Sequence, residues 1–183
     1  MQIEYTNEQK ALQPKLADAN INPESFLATD YLNHFNEIVM LLEMIPDMPE
    51  LVEDASDWQP KSYNQHFEDS GFQAKHLAID AFNIAPESIR SAFNALCTDL
   101  NELISTTLLG LLQLNVVERG LSQAARGLVK QRVGQIQGML LKLNQVIHGK
   151  IDEKPVIEKI VNNEKSSATE NLQTQEDIDK LFD

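Results

Sequence analysis

The amino-acid sequence predicts an all-α protein, a helical bundle built on a long antiparallel helical hairpin with a flexible C-terminal tail. Apolar residues recur at helical spacing over most of the chain, most regularly in residues 86–149. Only seven glycines are present, and no stretch alternates apolar and polar residues as a half-buried strand does. The patterns divide the chain as follows: an N-terminal arm (1–20), an acidic helical part (21–85), the long hairpin (86–150), and a flexible linker with a terminal recognition peptide (151–183).

The composition limits the functions that the chain can have. Its net charge of −13 disfavours nucleic-acid binding, because phosphate contacts need clustered lysine and arginine side chains. No run approaches the ~18 apolar residues of a membrane span, and residues 1–5 lack the features of a signal peptide. The single cysteine, Cys97, excludes an internal disulfide. We therefore expect a cytoplasmic protein that binds neither nucleic acid nor membrane.

The first predicted helix begins at Asn22-Pro23-Glu24, because asparagine caps a helix, proline suits its first turn and glutamate complements its dipole. Pro46 ends it. One face of this helix is apolar and consists of Leu27, Tyr31, Phe35, Ile38, Leu42 and Ile45.

Three shorter helices are expected next. The first follows Pro49 and ends near Trp58, and it is rich in acidic residues. Ser62 caps the second, and Gly71 is placed to end it. The third covers residues 72–82, before Pro86.

The first long helix of the hairpin follows Pro86. Its apolar seam has alternating spacings of four and three residues, which predict heptad packing of the coiled-coil type. The seam residues are Ile89, Phe93, Leu96, Leu100, Leu103, Thr107, Gly110, Leu114 and Val117. A second stripe lies beside it and comprises Ile104, Leu108, Leu111 and Leu112. Two stripes on one helix need two neighbours, so either a homodimer through the hairpin or the N-terminal helices cover the second one.

The chain turns at Arg119-Gly120 and returns in a second long helix. The apolar face of this helix consists of Val129, Val133, Ile136, Leu140, Leu143 and Ile147. Gly127, Gly134 and Gly138 lower its intrinsic stability by roughly 1 kcal/mol each, and they mark either a close helix approach, a groove or tolerated surface positions.

Charge is unevenly distributed along the chain. Residues 1–85 have a net charge of −11, residues 86–150 of +3, and residues 151–183 of −5. We expect the basic hairpin to meet an acidic surface, either within this chain or on a partner.

The last ten residues form a capped amphipathic pattern. Thr174 and Asp177 have the spacing of a helix cap, and Ile178, Leu181 and Phe182 fall at i, i+3 and i+4. A segment this short cannot hold a helix alone in water, which favours folding against the groove of a partner over docking on its own domain. A tether of about 22 residues before it has a mean reach of roughly 25 Å.

This terminal segment resembles the peptides with which flagellar switch proteins bind the response regulator of chemotaxis, a receiver domain. Those peptides have the form Ser-Gln-x-x-Ile-Asp-x-Leu-Leu. Gln175, Ile178, Asp179 and Leu181 match, whereas Thr174 replaces the serine and Phe182 replaces the last leucine. The chemotaxis phosphatase has a related peptide after a helical hairpin and a linker. The resemblance covers ten residues and implies a receiver domain as partner, with Mg²⁺ on that partner and no cofactor of this chain.

The resemblance also raises the question of phosphoaspartate hydrolysis. The phosphatase uses an acidic residue and a glutamine four positions later on its long helix. Asp99, Glu102 and Glu118 are not followed by glutamine at that spacing, and the pair Asp69 and Gln73 spans Gly71. The catalytic residues are therefore unknown, and the alternatives are a phosphatase, a non-enzymatic helical adaptor, or a structural assembly protein.

Other candidate sites are few. The docking surface for an acidic receiver would consist of the basic and amide residues Arg126, Lys130, Gln131, Arg132 and Gln135. The four histidines lack the Glu-x-x-His spacing of bundle metal sites, so we expect no metal. Cys97 lies in an apolar helix and is expected to be buried rather than nucleophilic.

Overall fold

A computed structural model describes residues 3–151 of the chain. These residues form an all-α bundle around an antiparallel hairpin, and no strand occurs among them, which confirms the predicted fold class. The eight helices are α1 Asn7–Asp18, α2 Asn33–Met44, α3 Leu51–Ser56, α4 Tyr63–Asp69, α5 Lys75–Ile84, α6 Glu87–Gln113, α7 Val116–Arg119 and α8 Gln123–Ile147, with a 3₁₀ turn at Thr29–Leu32 before α2. The predicted linker and terminal peptide lie outside the described residues.

The hairpin consists of α6 and α8, which have 27 and 25 residues. Two residues with left-handed backbone reverse the chain between them: Asn115, with φ of 50°, and Gly120, with φ of 66°. Asparagine and glycine are the residues that adopt this region most readily. The turn that Arg119-Gly120 predicted is therefore confirmed, with the one-turn helix α7 inside it.

Ser122 caps α8, because its side chain accepts a hydrogen bond from the backbone N–H of Ala125 at 3.1 Å. We expect Ser122→Ala to lower the free energy of unfolding by about 1 kcal/mol. Chemical denaturation measures the change. Ser105→Ala, at an exposed site within α6, is the matched control and should cost nothing. Equal effects of the two substitutions would show that the cap adds no stability.

The buried stripe of α6 follows the predicted heptads in part. Ile89, Phe93, Leu100 and Thr107 of the seam are buried, and Leu96 and Leu103 are half-buried against the core. Leu111 is buried eleven residues after Leu100, and this interval corresponds to about 3.67 residues per turn, close to the value for a straight α-helix, whereas heptads require about 3.5. The helix itself was predicted correctly, and its coiled-coil packing stays a prediction.

The second stripe of α6 is covered within the chain. Ile104, Leu108 and Leu111 are buried, and only Leu112 remains exposed. The helices α2 and α3 pack on α8 and α6, respectively, and Phe35, Ile38 and Leu42 of α2 are completely buried. The described residues of this chain thus bury all of the stripe but Leu112, and a homodimer through the hairpin stays a prediction.

The helix predicted from Asn22 begins eleven residues later, at Asn33. Asn22 does accept hydrogen bonds from the N–H groups of Glu24 and Ser25, as a helix cap would. However, Phe26 has φ of 69°, which interrupts a helix. The Ser25 hydroxyl donates instead to the carbonyl of Ile147, so this loop is held by tertiary contacts that the sequence pattern did not reveal.

The segment predicted as an N-terminal arm contains α1. Thr6 and Gln9 form a reciprocal capping box at its start, and Pro14 lies inside the helix. The Gln9 amide also donates to the carbonyl of Ile84 at 2.7 Å and attaches α1 to the end of α5. The Thr-x-x-Gln spacing was a readable signal for this helix that the sequence analysis missed.

The three short helices occur where they were predicted, with shifted ends. Ser62 caps α4 through the N–H of Gln65, as expected. Gly71 does not end α4 in a left-handed turn, because α4 ends at Asp69 and the following Ser70 already has extended backbone. The next helix, α5, begins at Lys75 rather than at Phe72.

Among the described residues, α6 alone is long and apolar enough to span a membrane, with a mean hydropathy of 1.2 over its most apolar window. Eight of its residues are buried in the bundle, and it packs along α8. These contacts are those of a core helix.

Candidate functional site

The predicted receiver-binding peptide lies outside the described residues. The residues predicted to bind the receiver are Gln175, Ile178, Asp179, Leu181 and Phe182, and the residues predicted to cap the peptide are Thr174 and Asp177. Their role remains a prediction from the sequence.

The five predicted docking residues all lie on α8, but they do not form one surface. At about 100° per residue, Lys130 and Arg132 point roughly 200° apart around the helix. Gln131 and Gln135 are exposed on the outer side, Lys130 is exposed on one flank and Arg132 is half-buried on the other. A partner that approaches the outer side can therefore reach the two glutamines. Arg126 and Lys130 are four residues apart and share one flank, whereas Arg132 lies on the other.

An acidic partner for the basic hairpin exists within the chain. Arg126 Nη1 donates to Asp47 Oδ1 at 3.0 Å, and Gln137 Nε2 donates to Glu43 Oε1 at 2.6 Å. Both carboxylates belong to the acidic stretch at the end of α2. Part of the expected acidic surface therefore lies within this chain, at the end of α2. Arg126 already pairs with this surface through Asp47.

A shallow groove of about 340 Å³ separates α2 from α8. Its lining includes Pro46, Val133, Lys130 and Gly134. No atom lies within 4 Å of the position where a Cβ on Gly134 would sit, and the same is true of Gly127 and Gly138. Of the alternatives for these glycines, a close helix approach is therefore excluded, and surface or groove positions remain.

The groups needed for phosphoaspartate hydrolysis are not brought together in the described residues. Asp69 ends α4, whereas Gln73 lies in the loop before α5, so the pair does not share a helix. Asp69 instead forms an ion pair with Lys61 at 2.9 Å. No group of three or more histidine, cysteine, aspartate or glutamate side chains that could hold a metal ion occurs in residues 3–151.

His34 is buried in an aromatic cluster that the sequence analysis did not identify as a site. Its Nε2 accepts a hydrogen bond from the backbone N–H of Lys61 at 3.1 Å, and its ring stacks on Trp58 with the centroids 4.9 Å apart. Burial, together with the nearby His66 and Lys61, lowers the pKa of His34 to about 4. The ring is therefore neutral at pH 7, with its proton on Nδ1.

Tyr31 lies at the centre of this cluster. Its ring is within 5.6 Å of Phe35, Tyr63, His66 and Phe93. The hydroxyl donates to the carbonyl of Lys61 at 2.8 Å, and burial raises its pKa. The spacing of single aromatic residues on separate helices gave no signal that they would meet.

Cys97 is buried beside Tyr31, as the sequence predicted. Burial raises the pKa of its thiol to about 12, so the thiolate that a nucleophile needs is absent at neutral pH.

The fold and these sites define an all-α hairpin protein with a neutral aromatic core and an acidic N-terminal part. Comparisons with protein-family models, with curated proteins and with solved structures gave no match to this chain.

Proposed function

We propose that this chain is a cytoplasmic two-component or chemotaxis signalling protein that captures a receiver domain with its last ten residues. The observation that carries the proposal is the match of Gln175, Ile178, Asp179 and Leu181 to the switch-type peptide pattern. Ile178, Leu181 and Phe182 supply one apolar face, and the carboxylates around them keep the remaining faces soluble.

The mode of action that the described residues support best is non-enzymatic capture, in an adaptor role. The acid and glutamine that would position a water molecule do not occur four residues apart on α6 or α8. Mg²⁺ would belong to the partner receiver, whose acidic pocket holds it.

The outer side of α8 offers the receiver a second contact. Gln131 and Gln135 are exposed there one turn apart, and the nearby Gly127, Gly134 and Gly138 leave the helix surface open. Amide side chains can both donate to and accept from a partner. Arg126 contributes less to this contact, because Asp47 already binds it.

The second candidate function is structural assembly through the hairpin. This assembly would not use the tail peptide. Leu109, Leu112 and Leu128 are exposed large apolar residues on α6 and α8, and they are the observation that favours it. Size-exclusion chromatography of the full chain with and without residues 174–183 separates the two functions. Assembly would persist after deletion, whereas receiver binding would be lost.

The peptide prediction is tested by titration of a labelled 170–183 peptide against a panel of receiver domains, with and without a phosphoryl mimic. We expect Phe182→Ala to weaken binding by roughly 30-fold or more, because a buried aromatic anchor contributes about 2 kcal/mol or more to such interfaces. Fluorescence anisotropy measures the dissociation constant.

Lys180→Ala is the matched control for this titration. If the bound peptide is helical, as proposed, a spacing of about 100° per residue puts Lys180 on the side opposite to Ile178 and Phe182. Its removal should change the affinity by less than about threefold. If no receiver binds the unsubstituted peptide in either state, the proposal fails.

A further inference from the structure

The exposed side of α2 has two methionines at its centre. Met40 is 55% exposed and Met44 is 39% exposed, whereas the opposite side of the same helix is buried in the core. At about 100° per residue, Glu37 and Glu43 lie on the two sides of these methionines, and both carboxylates are exposed. We call this surface the methionine face. An apolar centre with charged edges is typical of a surface on which an amphipathic helix docks.

The groove between α2 and α8 borders the methionine face. Glu43 belongs to both, and Leu42 and Pro46 line the groove beside it. An apolar side chain from a docked helix can therefore enter the groove while its neighbours lie on the methionines. Methionine side chains are flexible and polarisable, so they adapt to the shape of such a partner.

The surroundings of the methionine face are strongly acidic. Residues 16–60 contain ten aspartate and glutamate side chains and no lysine or arginine. Seven of the ten fall within residues 37–57, and all seven are exposed. Within residues 3–151, only Asp47 of these seven forms an ion pair, with Arg126 at 3.0 Å. The other carboxylates favour a partner of opposite charge.

Negative charge also lies at the C-terminal ends of α2 and α3, where a cation is the favoured neighbour. Neither helix has a basic residue in its last turn. Glu43 lies in the last turn of α2, and Asp57 directly follows α3. A cationic side chain from a partner is therefore attracted both by the carboxylates and by the helix ends.

We propose that the methionine face binds a basic amphipathic helix of a partner protein. Its apolar side chains contact Met40 and Met44, and its lysine or arginine side chains pair with the carboxylates at the edges. Nucleic acids and anionic membranes are repelled by the same charge. The inference goes beyond receiver capture and is independent of it, because the methionine face includes no residue of the tail or of α8.

The probe is a labelled synthetic peptide that consists of two copies of Leu-Lys-Lys-Leu-Leu-Lys-Leu, a pattern that places leucines on one side of a helix and lysines on the other. The control probe has glutamate in place of every lysine. Fluorescence anisotropy with the full chain gives the dissociation constants. We expect only the lysine peptide to bind. Its affinity should fall about tenfold or more between about 50 mM and about 500 mM salt, because salt screens exposed charges.

The apolar contact is tested by the double substitution Met40→Gln and Met44→Gln. Both side chains are exposed, so the bundle keeps its core contacts. We expect the affinity for the lysine peptide to fall about tenfold or more, because the central apolar anchors of an interface contribute most of its binding energy. The matched control is Leu109→Gln with Leu112→Gln, which makes the same kind of change at exposed positions of α6 and should alter the affinity less than about twofold.

The charge contact is tested by Glu37→Gln with Glu43→Gln, which we expect to weaken binding about fivefold. Asp99→Asn with Glu102→Gln removes the same net charge from exposed positions of α6 and should have less than about half of that effect. The proposal is overturned if the lysine peptide does not bind, if the glutamate peptide binds equally well, or if either double substitution on α2 has no larger effect than its control on α6.

Discussion

Phe93→Ala is expected to destabilise the protein by about 3–5 kcal/mol, the range measured for removal of a buried phenylalanine. Phe93 is 1% exposed, and its ring lies 5.1 Å from Tyr31, 5.6 Å from Tyr63 and 5.5 Å from Phe82. These three neighbours come from the 3₁₀ turn before α2, from α4 and from α5, so the cavity left by the ring cannot collapse without moving several elements. The free energy of unfolding is measured by urea denaturation.

Leu109→Ala is the matched control for this substitution, because Leu109 lies on the same helix and is 56% exposed. It should cost less than about 1 kcal/mol. A loss for Phe93→Ala no larger than that for Leu109→Ala would contradict the assignment of the aromatic cluster as the centre of the core.

Acidification from pH 6.5 to about pH 4 is expected to destabilise the protein through His34 by about 2 kcal/mol. The folded-state pKa of His34 is lowered to about 4, whereas an unfolded histidine titrates near 6.5. Between these values the unfolded chain binds a proton that the folded chain does not, so the free energy of unfolding decreases as the pH falls. The contribution is intact above pH 6.5 and fully lost below pH 4.

His34→Gln separates this effect from the titration of the carboxylates. The glutamine oxygen can accept the hydrogen bond from the backbone N–H of Lys61 but does not titrate. Urea denaturation at intervals between pH 7 and pH 4 should give a shallower decline for this variant. If the free energy of unfolding fell equally with pH in both proteins, the titration of His34 would not be the cause of the loss in stability.

Local signals in the sequence predicted most of the helices. The turn at Gly120 and the apolar face of α8 depend on residues near in sequence, and both were predicted, whereas the equally local cap at Ser122 was missed. The start of α2 was not predicted, because Ser25 is held by Ile147 of α8, more than 100 residues away in the chain. A capping pattern cannot report such a contact.

The candidate sites differ in the same way: the features that depend on residues near in sequence were predicted, and those that depend on residues distant in sequence were not. The burial of Cys97 followed from its apolar neighbours on one helix. In contrast, the aromatic cluster around Tyr31 assembles residues from separate elements, none of which is unusual in its own sequence context. Helical spacing places Arg132 on the opposite flank of α8 from Arg126 and Lys130, and the docking role of the five residues stays a prediction.

The most direct test of receiver capture is the affinity of the full chain for a phosphorylated receiver before and after deletion of residues 174–183. The described bundle ends before this segment, so the deletion leaves its contacts in place. The account predicts that deletion weakens binding by more than about 100-fold, whereas Gln131→Ala together with Gln135→Ala weakens it by less than about tenfold. Equal affinity of the full and the truncated chain would contradict the account.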